Sequence, residues 1–194
     1  MGKPLPSPEE AVKILREAGC SDDVIKHCEA VARLAVQIAK RCLKNGVNVN
    51  VQLIRIGALL HDIGRSKTHK VHHAVVGAEI ARSLGLPKPV ISIIERHVGG
   101  GISSDEASKL GWPSGSYMPE TLEEKIVSYA DKLIEGTRIV PIEETIKKFR
   151  MELGEDHPAI ERIRRLQNEI SALCNLKNSP NERIRNSPNL PKLP

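Results

Sequence analysis

Aromatic residues are nearly missing from this chain: Phe149, Trp112, Tyr117 and Tyr129 are all it has. So few rings cannot build the base-stacking platform on which single-strand nucleic-acid binders rely. An excess of one charge is missing as well. The formal charge is +5 at pH 7, but residues 177–194 contribute Lys177, Arg183, Arg185 and Lys192 against Glu182 alone. The body is close to balanced, and nucleic acid is not expected as a partner. No apolar run approaches the ~18 residues of a membrane span, and the N-terminus has none of signal-peptide length. Cysteine offers no C-x-x-C pair. Cys20, Cys28, Cys42 and Cys174 read as core thiols in a reducing compartment, and a cytoplasmic protein without membrane contact is expected.

What is present is helical punctuation. Ser7-Pro8-Glu9-Glu10 joins an N-cap serine, a proline at the first helical position and a glutamate three residues on, and Gly19 ends that helix. A longer helix starts after Ser21, carries Val24, Cys28, Val31, Leu34, Ala35 and Ile38 as an apolar stripe, and stops near Gly46. Val51 to His61 reads as an almost wholly apolar, central helix in which Gly57 marks close packing. Further helices are expected at about 72–84 and 88–98, the second running into Gly99-Gly100-Gly101, a flexible joint. Capping boxes at Ser103-x-x-Glu106 and Thr121-x-x-Glu124 open two more, and amphipathic helices close the chain at about 142–153 and 158–175. Alternation of period two never extends beyond a few residues. The expected fold is therefore all-α, one domain over residues 7–176, followed by a disordered, basic, proline-rich tail over 177–194.

Within this frame several polar residues stand where apolar ones belong. His61 and Asp62 end the apolar run Leu59-Leu60-His61-Asp62-Ile63-Gly64. On a continuous helix adjacent side chains point about 100° apart, so both reach one cation only where the helix ends or bends, and Gly64 permits such an end. His27 lies on the stripe of the second helix, and Asp131 sits on or beside the buried face formed by Ile126, Val127, Ala130 and Leu133. Alone, a histidine on an apolar stripe is usually a satisfied core residue. The conjunction is what points to a metal, because separate helices each offer an imidazole or carboxylate from a face that should be apolar. Nitrogen and carboxylate ligands without cysteine suit Mn, Fe, Ni, Co or Zn in an open site rather than a structural zinc knot.

His27, the His61-Asp62 doublet and Asp131, in this order on helices, resemble the HD-domain superfamily of metal-dependent phosphohydrolases, and Leu60-His61-Asp62-Ile63-Gly64 is similar to its HDIG signature. His73-x-x-x-Gly77-Ala78-Glu79 and His97 resemble the two added histidines of the binuclear branch, as in YqeK-type hydrolases. The resemblance implies a helical HD-domain fold and one or two divalent metals: His27, His61, Asp62 and Asp131 on the first, His73 and His97 on the second, Asp62 bridging. It also implies that a metal-activated water attacks the phosphorus of a nucleotide or related small phosphoester or phosphoanhydride. His61, Asp62, Arg65 and Lys67 would then carry the catalysis. Arg65 stands where the family often has lysine, and a guanidinium still binds phosphate bidentately. His97 is followed by Val98-Gly99-Gly100 rather than a second histidine and a Gly-Tyr-Pro segment, a departure that speaks against cyclic di-GMP.

Plainer roles stand beside these. Arg65, Lys67 and Lys70 equally describe a solvated basic loop. Trp112 and Tyr117 either stack a base or anchor their loop on the core, with anchoring the more ordinary role. Glu79 and Glu95 either orient a ligand imidazole or lie on exposed faces. His72 is expected in solvent or on substrate, and His69 and His157 at the surface. Three other functions fit the same residues: a di-iron oxygenase of HD type, a non-catalytic metal- or nucleotide-binding regulatory module, and nucleic-acid binding through the tail.

Overall fold

A computed structural model describes residues 4–176. The tail expected over 177–194 lies outside the described residues. Nine α-helices are found among them: α1 (Pro8–Ala18), α2 (Asp22–Lys44), α3 (Val51–Leu60), α4 (His73–Ser83), α5 (Lys88–Arg96), α6 (Ser104–Lys109), α7 (Leu122–Lys132), α8 (Ile142–Leu153) and α9 (Pro158–Leu173). The fold is all-α apart from one hairpin, β1 (Ile134–Glu135) and β2 (Arg138–Ile139), paired antiparallel with Glu135 opposite Arg138. Strands of two residues are too short for any alternation to show in the sequence.

The starts of the helices follow their caps. Ser7 with Glu10 and Ser103 with Glu106 form complete capping boxes. The third expected box is half formed. Thr121 accepts from the Glu124 N–H, but the Glu124 carboxylate accepts from the Glu120 N–H at 2.7 Å and from Arg96 at 3.2 Å. A buried carboxylate takes the charged partner when one is in reach.

The apolar helix α3 is central, packed against α1, α2, α5 and α7. Its Gly57 is needed for close approach: a Cβ there would lie 2.9 Å from Ile93 Cγ2 of α5. Leu60 and Ile63, on either side of the His61-Asp62 doublet, are fully buried. Each such side chain stabilises by about 1.5–3 kcal/mol, so the doublet is pinned from both sides. The run Gly99-Gly100-Gly101 is an ordered turn rather than a flexible joint. All three residues have positive φ (61°, 71° and 110°), Gly99 and Gly100 are buried, and a Cβ on Gly100 would meet the α9 backbone at Ile163 N, 3.3 Å away. Glycine is required there for conformation and for space.

Of the four cysteines, Cys20 and Cys28 are buried free thiols as expected. Cys42 and Cys174 are not. They form a disulfide between the ends of α2 and α9, with Cα atoms 4.1 Å apart across a separation of 132 residues. Such a distant pairing leaves no spacing pattern to read. Trp112 and Tyr117 anchor their loop, forming a small second core with Ala74, Ile102 and Ala107. Among the described residues no helix is long and apolar enough to cross a membrane.

Candidate metal centre

Helix α3 closes at Leu60, and His61 and Asp62 follow it into a 3₁₀ turn, Ile63–Ser66. This break lets neighbouring side chains face one point. Gly64 serves it differently from the expected helix-ending role. It has no positive φ, but a Cβ would run into the His73 carbonyl oxygen and lie 2.6 Å from Gly77 N. The missing side chain lets the turn carrying the doublet lie against the first turn of α4, which begins at His73. Gly77 repeats the device from the other side, where a Cβ would be 2.9 Å from Ile94 Cγ2.

The six expected ligands come together. His27 Nε2 lies 3.1 Å from Asp131 Oδ1, and His61 Nε2 lies 3.4 Å from the same oxygen. Asp62 is split between two groups. Its Oδ1 faces His73 Nε2 at 3.1 Å and His97 Nε2 at 3.5 Å, while its Oδ2 faces His61 Nε2 at 3.7 Å and His27 Nε2 at 3.9 Å. Two triads, His27-His61-Asp131 and His61-Asp62-His97, each have ligand atoms within 4.8 Å of one another, with His61 common to both.

The tautomers follow from the backbone. His61, His73 and His97 each turn Nδ1 onto the carbonyl three residues earlier, of Ala58 at 2.7 Å, Lys70 at 2.8 Å and Ile94 at 2.7 Å. His27 Nδ1 reaches the Gly136 carbonyl in the hairpin turn at 2.9 Å. A carbonyl only accepts, so each Nδ1 carries a proton and each ring turns its Nε2, the atom left to bind a metal, to the centre. His73 and His97 bring their Nε2 atoms within 3.0 Å of each other, and buried His61 Nε2 and Asp62 Oδ1 have no hydrogen-bond partner. Imidazole nitrogens gathered about two carboxylates, with His61 Nε2 and Asp62 Oδ1 left unpartnered, fit a transition-metal cation. The expectation that Glu79 or Glu95 would orient an imidazole does not hold: Glu79 is exposed, Glu95 pairs with Arg82, and backbone carbonyls do that work.

Electrostatics agree with the geometry. Burial pushes the His97 pKa down to about 4, opposed by the facing Asp62 carboxylate and reinforced by the neighbouring His61 and His73. Burial would also favour a neutral Asp62, but His61, His73 and His97 outweigh it and hold the carboxyl well below the carboxylate range. Asp131 is likewise held low against burial by Lys132, His27 and His61. Both acids are thus ligand-ready anions.

A cavity of about 350 Å³ opens over the cluster. Arg65 lines it, with Nε 2.5 Å from Asp62 Oδ2. Lys67 is exposed and outside that lining, so the structure does not bring it to the other site residues. His69 is exposed, His72 packs edge-on to Trp112, and His157 caps α9 by accepting from the Ala159 N–H. Three features escape sequence reasoning. Buried Lys132 pairs with Asp131 at the cavity wall, the Gly136 carbonyl holds His27, and Thr145, Lys148 and Phe149 bring α8 to the rim. Only Lys132 carried a signal, its place beside Asp131.

Comparison with known proteins fits this geometry. A model of the HD domain matches residues 24–136. The chain belongs to the HD-domain family. It is accordingly a metal-dependent phosphohydrolase of that superfamily. An uncharacterised protein of Methanocaldococcus jannaschii is 50% identical over 165 residues, covering 85% of this chain and 97% of that protein. A tRNA (cytidine(56)-2′-O)-methyltransferase of Thermoplasma volcanium is 42% identical over 171 residues, 88% of this chain but 48% of the enzyme, so the HD chain spans about half the length of that relative. The HD domain of the L. monocytogenes phosphodiesterase PgpH, solved with cyclic-di-AMP, has the same fold. Its TM-score is 0.50 at 20% identity, over 88% of this chain and 98% of that one.

Proposed function

We propose that this HD domain, spanning residues 7–176, hydrolyses a phosphoester of a nucleotide-like small molecule with two divalent transition-metal ions. The observation that carries the proposal is the set of four Nδ1-tethered imidazoles aiming Nε2 atoms at two ionised carboxylates, with His73 and His97 Nε2 only 3.0 Å apart. His27, His61 and Asp131 would hold one ion and His73 and His97 the other, with the divided oxygens of Asp62 shared between them. Bound there, a divalent ion lowers the pKa of a water and neutralises phosphate oxygens.

The chain's own residues supply orientation. The carbonyls of Ala58, Lys70, Ile94 and Gly136 fix the four rings, and Ser128 Oγ donates to the His97 carbonyl at 2.9 Å, steadying the end of α5. Arg65 is the residue poised to meet a phosphate oxygen, since its guanidinium lines the cavity with terminal nitrogens beyond the Nε that engages Asp62. Lys132 holds Asp131 from the side away from the rings and offers an ammonium at the wall. A second reading, favoured by the likeness to part of a tRNA methyltransferase, places the phosphoester at the end of an RNA.

The test is a panel of nucleoside monophosphates, diphosphates and triphosphates, cyclic nucleotides, dinucleoside polyphosphates and phosphate-terminated oligoribonucleotides, assayed with Mn, Fe, Co, Ni and Zn. Phosphate release from at least one, removed by chelator and restored by metal, is expected. Chelator-insensitive turnover, or none with any metal, refutes the proposal.

A further inference from the structure

The cavity wall facing the HD doublet is built by the end of α7, the hairpin and α8. Three cations line the cavity, and each already has an anion: Arg65 on Asp62, Lys132 on Asp131 and Lys148 on Glu135. Asp62 and Asp131 belong to the ligand set. Glu135 does not. Its side chain is 43% exposed at the rim, one residue before the Gly136 whose carbonyl holds His27. The hydrogen bond from Lys148, and then its charge, keep the Glu135 carboxyl below its usual range, so it is anionic at neutral pH.

Two metal ions beneath this rim, with Arg65 beside them, would take up the phosphoryl group that is cleaved. Further phosphates would project towards the rim, where the lining cation Lys148 is already held by Glu135 and that carboxylate repels them. The volume, about 350 Å³, is at the small end of the ~300–1,000 Å³ of small-molecule sites. Half-buried Phe149 adds an apolar surface beside Lys148 on the same wall.

Resting on the phosphohydrolase function proposed above, we propose that Glu135 is a specificity-determining residue that restricts the site to nucleoside monophosphates and rejects di- and triphosphates. The rim acid acts by repulsion, so its removal admits longer phosphate chains rather than impairing the chemistry.

The experiment compares kcat/KM for AMP and ATP on the metal-loaded full chain, together with calorimetric binding of their non-hydrolysable methylene analogues. Wild type is expected to prefer the monophosphate in both assays. Glu135→Gln should shift the ratio towards ATP by about fivefold, the scale of one exposed charge interaction. Glu135→Asp should keep the wild-type ratio, and Lys148→Gln, which leaves Glu135 unpaired, should shift it the opposite way. A bridge that merely pins the hairpin to α8 would lower both substrates together, and an unchanged ratio in Glu135→Gln overturns the proposal. So does a wild-type preference for ATP. If nothing is hydrolysed the phosphohydrolase function fails, while the analogue-binding ratio still decides the role of Glu135.

Discussion

The floor and the wall of the cavity are built on opposite principles. The floor, from the end of α3 to the end of α5, is lined by His73 and His97 with His61 and Asp62 packed behind them, each at most 4% exposed. Glycines let its turns touch, and backbone carbonyls orient its rings. The wall, from Lys132 through the hairpin to Phe149, has an exposed rim tied by paired charges. Chemistry that needs fixed lone pairs sits where packing leaves no freedom, while selection among substrates is left to side chains that can change without disturbing the core.

Breaking the floor should have the largest effect. Asp62→Asn removes the carboxylate shared by both halves of the cluster. We expect hydrolysis to fall by more than about 100-fold, the upper range for losing a mere supporting partner of a metal ligand, with metal content falling in parallel by elemental analysis. Next comes Gly64→Ala, which pushes a methyl group into the His73 carbonyl. Overpacking of this kind costs about 1–3 kcal/mol or more. Denaturant midpoints should show the loss, and weaker metal binding should accompany it because the doublet and His73 can no longer approach. A Gly64→Ala protein with wild-type midpoint and metal affinity would contradict the close-approach account.

The floor was also the legible half. His61 and Asp62 announce themselves as polar residues at the end of an apolar run, His73 and His97 are legible only through the resemblance to the binuclear HD branch, and α3 could be read as central from its unbroken apolar character. The reason for Gly64 was not legible, since its space is taken by residues of α4 that only the fold brings there. The wall escaped altogether: strands of two residues leave no period, and Lys148 and Phe149 look like ordinary members of an amphipathic helix. The same limit explains Cys42–Cys174, whose partners meet only because α2 and α9 end side by side.

Smaller effects sharpen the contrast. Cys42→Ser removes a cross-link far from the centre and should lower stability by about 2–4 kcal/mol, read from thermal or denaturant unfolding, with metal content and kcat/KM intact. Ser128→Ala removes one hydrogen bond to the His97 carbonyl. A loss of about 0.5–1.5 kcal/mol in stability is expected, with a metal-affinity change of a few-fold confined to the His73-His97 side. An effect spread evenly over both ions would blur the division of Asp62 into two facing oxygens.

The central claim is that the tethered imidazoles and the divided carboxylate of Asp62 hold two divalent ions. Metal stoichiometry, measured by elemental analysis on reconstituted wild type, His73→Ala and Asp62→Asn, tests it most directly. Two ions per chain in wild type, one after His73→Ala and fewer than one after Asp62→Asn are predicted. Equal metal content in all three proteins would contradict it.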